Sequence, residues 1–380
     1  MTVLAILTAT ILCAAPLTAQ AAPQVPGVVP TLEDVRKGMG IPSSGDLRGQ
    51  QDTVGFASRA EQMAQVWKLA ETGPTPERFG VMPAPGVLGA MVPHDDYLFA
   101  GRMYRQMIPL ITARTVVLVG VFHKYRRFGA KDRLVFDPYR AWRSPDGEIK
   151  ISGLRAELLK ALPADAFSQD AASHDSEHSL EAIAYWLKHQ RPEVEILPIL
   201  LPSASFERLH MLANNAGKAL AEVMQRRGLR LGKDVAIVIS SDGIHYGADF
   251  KHTPFGAGGV EAYQKAMAVD RNLLTGPLAG PVATEKTRAF YTACVNPAQP
   301  DEYRLPWCGR FSIPFGMLLL QAMAQQLNLP APVGIPVVFG SSVDTPELPV
   351  KALGMGATAP ANLYHFVSYP GVAFVAGEVR

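Results

Sequence analysis

The run Thr115–Val121, TVVLVGV, constrains this chain more than any other stretch. It is continuous, apolar and mostly β-branched, so neither face of a strand built from it can meet water. Such a strand belongs inside a sheet that is covered on both sides. Val87–Val92, Glu195–Leu201 and Val235–Ser240 (VAIVIS) repeat the theme, and Pro336–Gly340 is a shorter version. Between these runs, apolar residues recur at helical spacing. The pattern predicts helices over Phe56–Glu71, Arg102–Thr112, Leu154–Leu162, Ser173–Gln190, Phe206–Arg227, Gly259–Leu274, Val282–Cys294 and Ile313–Leu327. Gly73-Pro74 and Gly228 stop two of them. Asp146-Gly147 marks a hairpin, and the alternating tail Ala361–Val379 predicts two terminal antiparallel strands. Strands that alternate with helices give an α/β fold. No polar linker splits residues 80–345, so residues 54–380 are read as one domain behind a Pro- and Gly-rich extended arm over residues 22–53.

Residues 1–21 carry no charged side chain, hold an apolar core from Val3 to Ala15, and finish on Ala19-Gln20-Ala21. That small-x-small ending reads as a signal peptide cleaved after Ala21. Pro16, Thr18 and Gln20 interrupt the apolar run, which falls short of the roughly 20 apolar residues a spanning segment needs, so no stable membrane anchor is expected. Leu12 before Cys13 argues against lipoprotein processing. The mature chain is therefore expected to be secreted or periplasmic, where thiols oxidise. Two cysteines remain there, Cys294 and Cys308, and a disulfide between them is one reading. A net charge of +2 is too small to argue for nucleic acid or an anionic membrane surface as a partner.

Three of the apolar runs end within a few residues of a histidine: His94, His123 and His245. In open α/β sheets the ligand crevice lies outside the carboxyl ends of the strands. Parallel neighbours would thus bring three imidazoles to one rim, and imidazole suits iron, copper and zinc. Asp95, Asp96 and Tyr97 follow His94 in the same cluster. Asp242 either orients an imidazole or caps the turn before His245. His178 and Glu181 stand one helical turn apart, a spacing that fits a metal pair, or a helix start that Glu181 stabilises. His174 and His210 follow no strand. The chain lacks G-x-G-x-x-G after a strand, a phosphate-binding loop and Gly-x-Ser-x-Gly. Ser240-Ser241 is the remaining candidate nucleophile.

Several motifs occur in a telling order: Pro93-His94-Asp95-Asp96-Tyr97 with Gly101, Gly120-x-x-His123, Glu177-His178-Ser179-Leu180-Glu181, Ser240-Ser241-Asp242-x-x-His245-Tyr246-Gly247, and Cys308-Gly309-Arg310. Over most of residues 80–345 this set resembles the Memo family, which includes protein B of the AmmeMemoRadiSam system. That family is similar in fold to class III extradiol dioxygenases, such as the B subunit of protocatechuate 4,5-dioxygenase. The resemblance implies a three-layer αβα sandwich around a largely parallel or mixed central sheet, with a site at its rim. His94, His123 and Cys308 match metal-binding positions. His245 matches the acid/base histidine of the dioxygenases, with Asp242 beside it. Asp95, Asp96, Tyr97, His178, Glu181 and Arg310 would stand around them as supporting or substrate-facing groups.

The departures from the pattern also carry information. Asp95-Asp96 replaces the usual Ala-Gly, Lys124 replaces a frequent second histidine, and Cys308 stands where the dioxygenases use a carboxylate. A thiolate makes the site softer and favours copper or a redox-sensitive iron, Cu or Fe(II). The expectation is an exported protein that binds such an ion, acting as a metal-dependent oxidoreductase on a small-molecule or peptide ligand. A non-catalytic metal- or peptide-binding protein is the alternative, and a metal-assisted hydrolase a weaker one.

Overall fold

The computed structural model describes residues 29–377, and the segment read as a signal peptide lies outside the described residues. Four parallel strands form the middle of the main sheet: β1 (Gly89–Val92), β2 (Thr115–Val121), β3 (Glu195–Leu201) and β4 (Val235–Ser240). They run in the order β3-β2-β4-β1. Every residue of β1, β2 and β4 is buried, as runs without a polar face require. Two antiparallel strands, β5 (Val333–Ser341) and β6 (Phe366–Val375), extend the sheet on the β1 side, with β6 against β1. Beyond β3 come Gly147–Ile151, its hairpin partner Ala141–Ser144, and the edge pair Leu47–Arg48. The sheet is therefore mixed. The tail forms one ten-residue strand rather than the two antiparallel strands expected there, because β5 already supplies its antiparallel partner.

Strand alternation divides the side chains between two cores. Val116, Leu118, Ala236 and Val238 face a layer built on α1 (Ala60–Glu71), α2 (Tyr97–Met107) and α3 (Glu181–Gln190). Val117, Val119, Ile237 and Ile239 face the other layer. There α4 (Phe206–Arg227), α5 (Val260–Thr275), α6 (Thr284–Cys294) and α7 (Ser312–Gln326) lie. Ser205 caps α4 by accepting from the Arg208 amide, and Gly228, at φ 64°, ends it in the left-handed conformation. A Cβ on Gly217 would stand 2.6 Å from that of Ala322, so glycine is what lets α4 and α7 approach. The result is a three-layer αβα sandwich. Among the described residues no helix is long and apolar enough to cross a membrane.

Two segments depart from the sequence expectation in ways that matter for the rim. Residues 29–53, expected as an extended arm, contain the helix Leu32–Lys37 and the edge pair Leu47–Arg48, with Arg48 and Gln50 buried. The single helix expected over Ser173–Gln190 is two, Ala171–Asp175 and α3. The break follows from Glu177, whose carboxylate accepts from the amides of His123, His178 and Ser179. Amides satisfied in that way do not join a helical ladder. His178 therefore lies in a loop and not on one helical face with Glu181. Cys294 and Cys308 are both buried and free, so no disulfide joins them.

Candidate metal centre

Strand register decides where the rim falls. Ser240 pairs with Val92, and Ile239 pairs with both Met91 and Val119, so β1, β2 and β4 end at one level. His94 and His123 leave that edge together, and the loop after Asp175 adds His178. Ring centroids are 5.2 Å apart for His94 and His123, 5.9 Å for His94 and His178, and 5.1 Å for His123 and His178. One ring nitrogen from each of the three lies within 4.8 Å of the others. His94 also belongs to a second such group, with Asp242 and Cys308. Two donor sets thus share one histidine. The set implied by the resemblance, His94, His123 and Cys308, straddles both.

Hydrogen bonding decides which nitrogen each ring has to offer. The Ser240 hydroxyl donates its one proton to the Ser179 carbonyl. It can then only accept from His94 Nδ1, 2.8 Å away, which leaves Nε2 of His94 with a free lone pair. His123 Nδ1 lies 2.9 Å from Glu177 Oε1, and Glu177 Oε2 accepts the His123 amide at 2.7 Å. The carboxylate holds this residue at two points and again frees Nε2, as outer carboxylates do for metal-binding imidazoles. Burial pushes the Glu177 carboxyl up, but His123 and the amide bonds outweigh it and hold the group below the usual carboxylate range. His94 is held well below the ordinary imidazole value, first by burial and then by His123 and His178. Burial lowers His178 too. Neutral imidazole is the form that ligates.

The facing wall carries Asp242, Cys308 and His245. Asp242 Oδ1 accepts the His94 amide at 2.9 Å, and Oδ2 lies 3.4 Å from His94 Nε2. Burial, then Asp95, pushes Asp242 well above the usual carboxylate range, so its contact with neutral His94 is not an ion pair. Burial likewise keeps the Cys308 thiol protonated. A cation between these walls would favour the ionised forms of both. Cys308 Sγ is 3.4 Å from His245 Nε2, and His245 Nδ1 faces the carbonyls of Gly243 and Pro306 at 3.1 and 3.0 Å. Those two acceptors place the His245 proton on Nδ1, and burial brings its pKa down to about 4. Asp95 accepts from the Tyr369 hydroxyl at 2.6 Å. Asp96 accepts from the amide and hydroxyl of Thr358, and burial followed by Asp95 raises it to about 8.

These groups line a crevice of about 910 Å³, with Arg126, Phe250, Tyr303 and Arg310 also on its walls. The Arg310 guanidinium stands 5.3 Å over the Tyr303 ring and 5.2 Å from that of Phe311. Two expected site residues are elsewhere. Tyr97 is buried, with its hydroxyl on the Ala182 carbonyl. Glu181 is buried under Arg48 at 2.7 Å and takes no place in either donor set.

A family model described as Memo-like protein matches residues 60–329. The chain belongs to the Memo family. A MEMO1 family protein of Thermococcus kodakarensis is 30% identical to it over 179 residues, 45% of this chain and 57% of the relative. One from Pyrococcus furiosus is 29% identical over the same shares, and one from Aquifex aeolicus is 27% identical over 169 residues, 43% of this chain and 40% of that protein. The chain spans about half the length of these relatives. All the rim donors of this Memo-family chain, from His94 to Cys308, lie inside the matched region, whereas Arg48 precedes it.

The donor set fits a transition ion: two imidazoles with a fixed free Nε2, a third ring nitrogen beside them, and a thiol and carboxyl opposite. The sequence reading missed Glu177 as the group that orients His123. Its signal is a carboxylate directly before His178, in a stretch whose helical spacing points to Glu181 instead. Ser240, a candidate nucleophile from the sequence, has another task. Its hydroxyl is spent on fixing His94.

Proposed function

We propose that this Memo-family chain is an exported protein that holds a redox-active transition ion, iron or copper, at His94, His123 and His178. The observation that carries the reading is the convergence of three ring nitrogens within 4.8 Å. Ser240 and Glu177 give it weight by freeing Nε2 on two of the rings. The nearby Cys308 thiol adds a soft donor and favours iron or copper over hard cations. Export rests on the uncharged apolar start and on Ala19-Gln20-Ala21. When bound, such an ion would supply electron-transfer chemistry to a small molecule or peptide in the crevice, which makes the chain a metal-dependent oxidoreductase.

The residues around the triad have separable tasks in this reading. His245 is anchored through Nδ1 at two carbonyls, so only Nε2 can exchange a proton. With its pKa near 4 it is neutral at pH 7 and serves as a proton acceptor. Asp242 holds the His94 backbone and faces its ring. Arg310 gives the crevice wall a cation over an aromatic face, suited to orienting a ligand.

Elemental analysis of protein purified anaerobically from the exported fraction of its host tests this directly. The expected result is stoichiometric iron or copper on a chain whose intact mass begins at Ala22. Zinc alone, or no metal, would overturn the redox assignment. A full-length mass in the cytoplasmic fraction would overturn export.

A further inference from the structure

We infer that the segment Ser43–Phe56, which precedes the region matched by the family model, is a working part of the metal centre. It holds the loop between Asp175 and α3 in the conformation that presents His178 and, through Glu177, His123. Arg48 is the fastener. Its side chain is buried, Nε and Nη2 donate to the His174 carbonyl at 3.1 and 2.7 Å, Nη2 donates to the Glu177 carbonyl at 2.6 Å, and Nη1 donates to Glu181 Oε1 at 2.7 Å. The guanidinium lies 4.2 Å over the Trp142 ring. One side chain thereby grips the loop before it, inside it and after it.

The flanking residues repeat the grip. Glu181 accepts the amides of Gln51 and Asp52 at 2.6 and 3.0 Å, which binds the segment to the first turn of α3. Ser43 donates to Asp175 Oδ1 at 2.7 Å, at the other end of the loop. Phe56 sets its ring 6.4 Å from that of His178. A buried ion pair is a weak stabiliser compared with apolar residues of the same volume, and its best use is to specify one conformation. Three acceptors in different directions need the planar fork of arginine, which lysine cannot supply.

Arg48 and Ser43 touch none of the rim donors His94, His123, His178, Asp242 or Cys308, so both are positioning residues. The ordering of the loop stands on these contacts alone, and the effect on metal rests on the function proposed above. The two steps are tested apart. Amide hydrogen exchange over residues 174–181 is read in the metal-free full chain, and cobalt(II) affinity is read from the visible spectrum of the loaded protein. Arg48→Met should remove the protection of this loop and weaken cobalt binding by about 10- to 100-fold, the usual cost of losing an outer partner. Arg48→Lys should recover only part of both, and Ser43→Ala, which strands no buried charge, should loosen the loop to a smaller degree. Leu220→Ala opens a cavity in the opposite helical layer and should lower stability without changing either readout. If Arg48→Met does not fold, Ser43→Ala and Arg48→Lys are read in the same way. Unchanged exchange at residues 174–181 in the folded variants would overturn the clamp. A loosened loop with unchanged cobalt affinity would overturn its role at the metal. Absence of cobalt binding by the unmodified protein would overturn the metal reading itself, while the exchange data still decide whether Arg48 orders the loop.

Discussion

The backbone amide and the ring of His123 end on the same carboxylate, Glu177, which also accepts from the two amides that follow it. One side chain thus fixes both a proposed ligand and the loop that carries the next one. Replacing it tests how much the orientation contributes. In Glu177→Gln a single oxygen remains: at the Oε1 place it still accepts from His123 Nδ1, while the NH₂ meets the His123 amide, so His123 is held at one point instead of two and by a neutral group. The expected result is a loss of about 10- to 100-fold in metal affinity with little change in unfolding midpoint, read by competition with a chromophoric chelator. Unaltered affinity would leave Glu177 with a purely structural task. At this scale the sequence was half legible. His94, His123 and His245 were found because each follows an apolar strand closely, a local signal. Glu177, Ser240 and Arg48 act on partners 54, 146 and 133 residues away, and no periodicity records such a pairing.

His174 shows how one bond docks an element. It lies in the helix Ala171–Asp175, and its Nε2 meets the Val135 carbonyl at 3.0 Å on the strand Leu134–Phe136. Burial, with a smaller push from Arg48, lowers its pKa from 6.5 to about 3 against the pull of the Val135 bond. A histidine depressed in the folded state stabilises fully above its unfolded pKa. That contribution is lost as pH falls from 6.5 toward 3, because the unfolded chain then binds the extra proton. His174→Gln keeps a donor for Val135 and does not titrate. The stability difference between wild type and variant should therefore shrink by on the order of a few kcal/mol between pH 7.5 and 4. Urea unfolding at several pH values measures it, and a difference that stays constant would remove this titration from the account. The elements themselves were well marked where their pattern is intrinsic. The buried runs became β1, β2 and β4, and α4 starts and stops at Phe206 and Arg227 as its spacing and Gly228 indicate. The helix expected over Ser173–Gln190 failed because a carboxylate took its amides, and the expected extended arm acquired its order from Asp175 and Glu181, which only the folded chain brings near.

At the scale of the whole molecule, the site exists because parallel strands distant in sequence end at one edge. The order β3-β2-β4-β1 places residues near 92, 121 and 240 side by side, and the crevice forms where their loops splay apart. The α/β class and the rim were readable from strand ends and the alternation of elements. The strand order was not, because apolar strands of similar composition carry no label for their neighbours. The claim that unites the account is that His94, His123 and His178 hold one ion between them. Anaerobic loading with iron(II), followed by metal analysis of His94→Ala, His123→Ala, His178→Ala and the remote control His210→Ala, tests it most directly. Stoichiometric iron is expected in the wild type and in His210→Ala, and less than about a tenth of that in each of the other three. Full occupancy in His123→Ala and His178→Ala, with loss confined to His94→Ala, would contradict it and move the ion to the Asp242–Cys308 side.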